Sequence, residues 1–159
     1  MTATATTLPA LSKADANTCE VLNSLLRGEL SAVETYDQAI AKFESAETVT
    51  TLTGMRDQHH NSVNKLRSHI IGHGGEPATS SGVWGSFAKL VTGTAKILGP
   101  STVISALREG EEHGVNVYET ALENLDVSPE CRFLIRGDLL PLCREHLRML
   151  AKLDSSAAE

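Results

Sequence analysis

The sequence predicts an all-α protein, an antiparallel four-helix bundle with a long crossover between its second and third helices. Three observations predict it. First, apolar residues recur at alternating threes and fours in four separate stretches, the signature of helices with one buried face. Second, the chain is 41% hydrophobic but only 4% aromatic, which suits aliphatic helix packing better than a β-sandwich. Third, one phrase occurs twice. Residues 25–40 read LLRGELSAVETYDQAI and residues 107–122 read LREGEEHGVNVYETAL. Without gaps they pair Gly28 with Gly110, Glu29 with Glu111, Tyr36 with Tyr118 and Ala39 with Ala121. A repeat about eighty residues apart denotes two similar halves, because solenoid periods are shorter.

The elements follow in order. Residues 1–14 lack an apolar pattern and are expected to be a flexible lead. The first helix is expected from about Asp15 to Glu44, with Asp15 or Asn17 as its cap. The second runs from about Thr48 to Ile71, although Thr48, Thr50, Thr51 and Thr53 weaken its start. Gly72, Gly74, Gly75 and Pro77 stop it. The crossover occupies about residues 74–99 and carries Trp84 and the apolar stretch Phe87 to Leu98. Its length permits a run along the whole bundle. The third helix follows Pro100, with Ser101 near its cap, and runs to about Leu125. Ser128, Pro129 and Glu130 open the fourth, since proline sits well at a first helical position. Pro141 lies inside it and should kink it. A single domain over residues 15–154 and a frayed tail over 155–159 complete the expected organisation.

The chemistry enters where an acid takes the place of a leucine. Leu22, Leu26, Glu29, Val33, Tyr36, Ile40 and Phe43 form the inner stripe of the first helix, so Glu29 points into the core. In the third, Ile104, Leu107, Glu111, Tyr118, Leu122 and Leu125 follow a similar stripe, and Glu111 takes the same place. Burying an unpaired carboxylate costs several kcal/mol, so each must be protonated, paired or bound to a metal. The other two helices offer partners. His59 is the polar member of the stripe Leu52, Met55, His59, Val63, Leu66, Ile70. His146 holds that position among Leu139, Cys143, His146, Leu150 and Leu153. Two acids and two imidazoles therefore converge.

This layout resembles the ferritin-like superfamily, whose four-helix bundles hold two metal ions. There the first and third helices each give a Glu, often with a Tyr seven residues later, and the second and fourth each give Glu-x-x-His. Glu29 with Tyr36 and Glu111 with Tyr118 match the first part. The paired Gly-Glu motifs and the Gly-Gly-Glu-Pro at Gly74 to Pro77 are similar to those of a bacterial ferritin-like bundle family of uncharacterised function. The chain departs from the pattern where Arg56 and Cys143 stand three residues before His59 and His146. Asp57 and His60 form an alternative Asp-x-x-His, about a hundred degrees around the helix. The expected metal ligands are Glu29, His59 or His60, Asp57, Glu111 and His146. Tyr36 and Tyr118 would donate to carboxylate ligands, and Cys143 would stand beside His146. Mixed carboxylate and imidazole suits iron, manganese or zinc. The resemblance implies, at most, ferroxidase or peroxide chemistry in a stress response. The alternative is a metal-free bundle that acts through protein–protein interaction or assembly, its Glu and His residues satisfying one another.

Composition narrows the partners. A net charge of −6 without a basic block argues against nucleic acid. Cys19, Cys131 and Cys143 cannot all pair and form no C-x-x-C, which favours a reducing compartment and small buried side chains. The N-terminus lacks a basic region and a long apolar run, and no stretch reaches about twenty apolar residues, so a cytoplasmic location without a transmembrane segment is expected. A homo-oligomer, at its simplest a dimer, and an unidentified partner protein stay open. His69, His73, His113, Glu109 and Glu112 read as solvated or helix-end residues.

Overall fold

A computed structural model describes residues 10–82 and 99–156. Trp84, the Phe87 to Leu98 stretch, residues 1–9 and the last three residues of the expected tail lie outside the described residues. The described part is all-α with four helical rods, and no strand occurs among the described residues.

Helix α1 spans Lys13–Ile40. Its cap is Ser12, neither Asp15 nor Asn17: the Ser12 hydroxyl accepts from the Asp15 N–H. Asp15 sits instead in the first turn, where the helix dipole favours an anion. The helix stops at Ile40, short of the expected Glu44, as the N–H groups of Lys42 and Phe43 bond three residues back. Helix α2 spans Ala46–Gly72 behind Ser45. Its early threonines are accommodated because the hydroxyls of Thr50 and Thr51 donate to the carbonyls of Ala46 and Glu47. At its end, the N–H of Gly75 bonds the Ile70 carbonyl and that of Gly74 the Ile71 carbonyl. Gly74 holds φ +75°, a conformation that costs a side-chain-bearing residue.

Helix α3 spans Pro100–Glu123, with Gly99 at the cap and Pro100 in the first turn. Ser101, expected near the cap, donates to Asp154. Leu125, expected on the inner stripe, lies past the helix and is 85% exposed. The fourth rod has three parts. Helix α4 (Pro129–Leu134) is capped by Ser128. A π-helical turn, Ile135–Leu139, follows, and helix α5 (Leu140–Ser156) completes it. The disturbance expected at Pro141 thus lies just upstream. A proline at 141 gives no N–H to Gly137 and crowds its carbonyl. The wide turn, in which the Leu140 N–H reaches back to Ile135, separates these groups. Downstream, Cys143, His146 and Leu150 stay buried.

The rods pack as two antiparallel pairs. Cys19, early in α1, meets Ile70, late in α2. Ser101, at the start of α3, meets Asp154, near the end of α5. The pairs close around two apolar clusters. One holds Leu22, Leu26, Leu66, Ile70, Ile135 and Leu139. The other holds Tyr36, Leu52, Met55, Ile104, Leu107 and Leu150. Between them runs one buried polar layer of Glu29, His59, Glu111 and His146. No described helix is long and apolar enough to cross a membrane.

Burial predicts where the fold is sensitive. Leu66 is fully buried and Phe133 is 78% exposed. Leu66→Ala should cost about 2–5 kcal/mol in urea denaturation. Phe133→Ala should stay within about 0.5 kcal/mol of the parent.

Candidate metal centre

The polar layer is built from one side chain per rod. Helical spacing turns Glu29, His59, Glu111 and His146 inward, between the two apolar clusters. His59 lies at its middle. Its Nδ1 is 2.8 Å from Glu29 Oε2 and its Nε2 is 2.8 Å from Glu111 Oε1. His146 Nδ1 is 3.0 Å from the same Glu111 Oε1, and its Nε2 is 2.8 Å from Gln58 Oε1. The Gln58 amide can present an acceptor or a donor to that nitrogen.

The two tyrosines cross over. Tyr36, from the first copy of the repeat, donates to Glu111 Oε1 at 2.6 Å. Tyr118, from the second, donates to Glu29 Oε1. Each copy therefore braces the acid of the other. The loading is unequal. Glu111 Oε1 faces Tyr36, His59 and His146, whereas Glu111 Oε2 is buried without a hydrogen-bond partner. Ligand atoms of His59, Glu111 and His146 all lie within 4.8 Å of one another.

Electrostatics explains how this layer survives burial. Burial drives the His59 imidazole toward neutrality, but Glu111 and Glu29 prevail and raise its pKa to about 10. Burial also pushes the Glu111 carboxyl up, and the charge of His59, with the bonds from His146 and His59, more than reverses this and holds it well below the carboxylate range. His59 thus carries a proton between two carboxylates. Burial first, and the neighbouring acids second, push both tyrosines well above their ordinary pKa, so they remain donors. Burial and then Glu111 and Glu29 likewise push the Cys143 thiol up.

The structure brings together Glu29, His59, Glu111, His146, Tyr36 and Tyr118. Cys143 is buried and lines a cavity of about 80 Å³ that also touches Glu29, Glu111 and both tyrosines. Gly28, Ala32 and Gly114, each partly exposed, give this cavity its outer wall between α1 and α3. Asp57 and His60 stay outside. Asp57 pairs with Arg56, which also binds Asp37, and the exposed His60 faces Asn64. Their positions on α2 point them away from the polar layer, as their hundred-degree offset requires. Gln58 was not legible in the sequence, because it lies off the apolar stripe of α2 and only its amide reaches His146.

His69 and His73, expected as solvated or helix-end residues, do stand at the end of α2, where both also face Cys131. His113 is exposed and lies at the edge of the cavity. All three cysteines are buried and free.

Residues 17–124 match the family described as Domain of unknown function (DUF2383). The chain belongs to this family. No curated protein and no solved structure matches it. The family match takes in Glu29, Tyr36, His59, Glu111 and Tyr118 and ends before His146.

Two predictions follow from the charge pattern, both for protein kept free of metal by a chelator. His59 has a folded pKa raised from 6.5 to about 10, so its stabilisation is complete below pH 6.5 and is lost as pH rises through 10. Glu111 has its pKa lowered from 4.5, so its stabilisation is complete above pH 4.5 and is lost as pH falls below that. Urea midpoints should therefore be highest between pH 4.5 and 6.5, and His59→Gln should flatten the decline between pH 6.5 and about 9, below the range in which the buried thiols and tyrosines add their own. The tyrosines should also differ. Tyr118→Phe takes from Glu29 Oε1 the one donor recorded for it among the described residues and should cost about 1.5–3 kcal/mol. Tyr36→Phe should cost less, because Glu111 Oε1 keeps two imidazoles.

Proposed function

We propose that this chain is a ferritin-like bundle that binds one transition-metal ion, iron or a similar metal, and serves iron- or peroxide-linked redox chemistry. One observation carries the metal reading. Glu111 Oε2 is buried without a hydrogen bond, and two imidazole nitrogens lie 2.8 and 3.0 Å from Oε1 of the same carboxylate, so three potential ligands stand within 4.8 Å of one another. A cation would satisfy this oxygen, and the donor set of carboxylate and imidazole suits iron, manganese or zinc. The ferritin-like reading is supported by the repeated Glu and Tyr and by their crossed hydrogen bonds.

His59, Glu111 and His146 would hold the ion, and Glu29, on the far nitrogen of His59, would orient that ring. Arg56 and Cys143 take the places of two further carboxylates, which supports one ion in preference to two. In this reading the His59 proton occupies the place of the metal's charge, and loading releases it to solvent. Tyr36 and Tyr118 keep the carboxylates oriented from the opposite copy of the repeat. The cavity holds about two or three water-sized molecules by liquid volume, which is room for a small oxidant beside the acids. Bound iron or manganese would supply the electron chemistry.

A second reading has its own observation. His59 engages both carboxylates at once, so the layer is largely satisfied without a metal. In that case the bundle would act through protein–protein interaction or assembly.

The test is the metal content of untagged protein after loading with ferrous iron and desalting, beside a Glu29→Ala/Glu111→Ala variant. The metal reading expects about one ion per chain, lost in the variant. It also expects a stabilisation near 2.7 kcal/mol when free metal exceeds Kd about a hundredfold. Parent protein that retains no ion, with an unchanged Tm, would leave the metal-free reading. Glu29→Leu separates the two again: it should weaken binding about 10–100-fold in the first case and leave a stable metal-free core in the second.

A further inference from the structure

A second cluster lies at the end of the bundle, where three chain segments meet far from the polar layer. Cys131 belongs to the first turn of α4 and is fully buried. Two imidazoles from the end of α2 face its sulfur. His73 Nε2 is 3.4 Å from Cys131 Sγ, and His69 Nδ1 is 3.7 Å from it. The other His73 nitrogen is fixed by α1, with Nδ1 2.8 Å from Asp15 Oδ1. Asp15 is in turn held by the Ser12 hydroxyl at 2.5 Å. Glu130 Oε1 lies 3.9 Å from His69 Nδ1. The Ser128 hydroxyl also approaches His73 Nε2, at 3.3 Å.

We infer that Cys131, His73 and His69 form a binding site for a thiolate-preferring divalent cation of the zinc type, separate from the core layer. Tetrahedral zinc holds sulfur at about 2.3 Å and imidazole nitrogen at about 2.0–2.1 Å, so its sulfur-to-nitrogen edge is about 3.5 Å. The two edges here bracket that value. Two histidines four residues apart share one face of a helix, the arrangement that lets helical pairs bind zinc. Asp15 performs the task that a carboxylate performs behind a ligating histidine: it fixes ring orientation and tautomer, leaving Nε2 to face the sulfur. The three ligand atoms are not all within 4.8 Å of one another, so the two imidazoles must close on the ion. His69 is partly exposed and has room to rotate. Binding displaces the Cys131 thiol proton to solvent, and Glu130 or water fills the fourth position. Sulfur with imidazole favours a softer cation than the carboxylates of the core, so the two sites sort metals by ligand type.

Cobalt(II) tests this, because a cysteine thiolate gives it a ligand-to-metal charge-transfer absorption. Untagged, reduced full-length protein is titrated with cobalt and the band is then displaced with zinc. The site expects a band at one equivalent that is lost in Cys131→Ser and His69→Gln and kept in Glu111→Gln. Asp15→Asn should weaken cobalt affinity about 10–100-fold. Circular dichroism confirms that each variant is folded, and the partly exposed His69→Gln serves should Cys131→Ser fail to fold. The absence of a thiolate band overturns the site, and so does a band that survives loss of Cys131 or of His69. A band lost only with Glu111 places the thiolate at Cys143 in the core and equally overturns it.

Discussion

Two glutamates in an apolar interior set the central constraint of this structure. Glu29 and Glu111 are both buried and meet on one imidazole, so the charge of a carboxylate there has to be balanced within the layer. The His59 proton balances it, and Tyr36, Tyr118 and His146 occupy further carboxylate lone pairs. Every rod contributes one member, so the rods are held in a single register. A shift of one residue in α2 that brought Gln58 to the place of His59 would leave both acids without their counter-charge. Leucine packing alone tolerates repacking, whereas a charged layer does not.

The layer is nearly symmetric, and its asymmetry is informative. The repeat places the acids and tyrosines as equivalents, and their hydrogen bonds cross from copy to copy. The histidines are not equivalent. His59 bridges both acids, while His146 touches only Glu111 and turns its other nitrogen to Gln58. Glu111 consequently has one crowded oxygen and one bare oxygen. An internal repeat dictates similar positions, but it does not dictate equal partners. The π-helical turn ahead of Pro141 marks the same broken equivalence, since α2 reaches its histidine as an uninterrupted helix.

The two ends of the molecule's chemistry differ in kind. The core layer offers oxygen and nitrogen within a water-poor interior, adjoining a small cavity. The cluster at Cys131 offers sulfur and nitrogen at a partly exposed junction of three segments. The junction also fastens the start of α1 to the end of α2 and the start of α4, through Asp15, His73 and Ser128.

Much of this was legible in the sequence. The period of the apolar stripe placed Glu29, His59, Glu111 and His146 inward, because a helix has a fixed angular step and a bundle buries one face. It left Asp57 and His60 open as an alternative pair, and only the packed helices set them outside the layer. The Ser12 cap, the π-helical turn and the exposure of Leu125 were not legible, since each depends on where a helix ends, and neighbouring segments decide that. The same holds for the crossed tyrosines, the bare oxygen of Glu111 and the grouping of His69 and His73 on Cys131. The sequence by itself determined which side chains enter the core, through local periodicity. The tertiary structure alone decided which of them touch, because hydrogen bonds between residues 75 or 89 positions apart depend on how whole helices are set against one another.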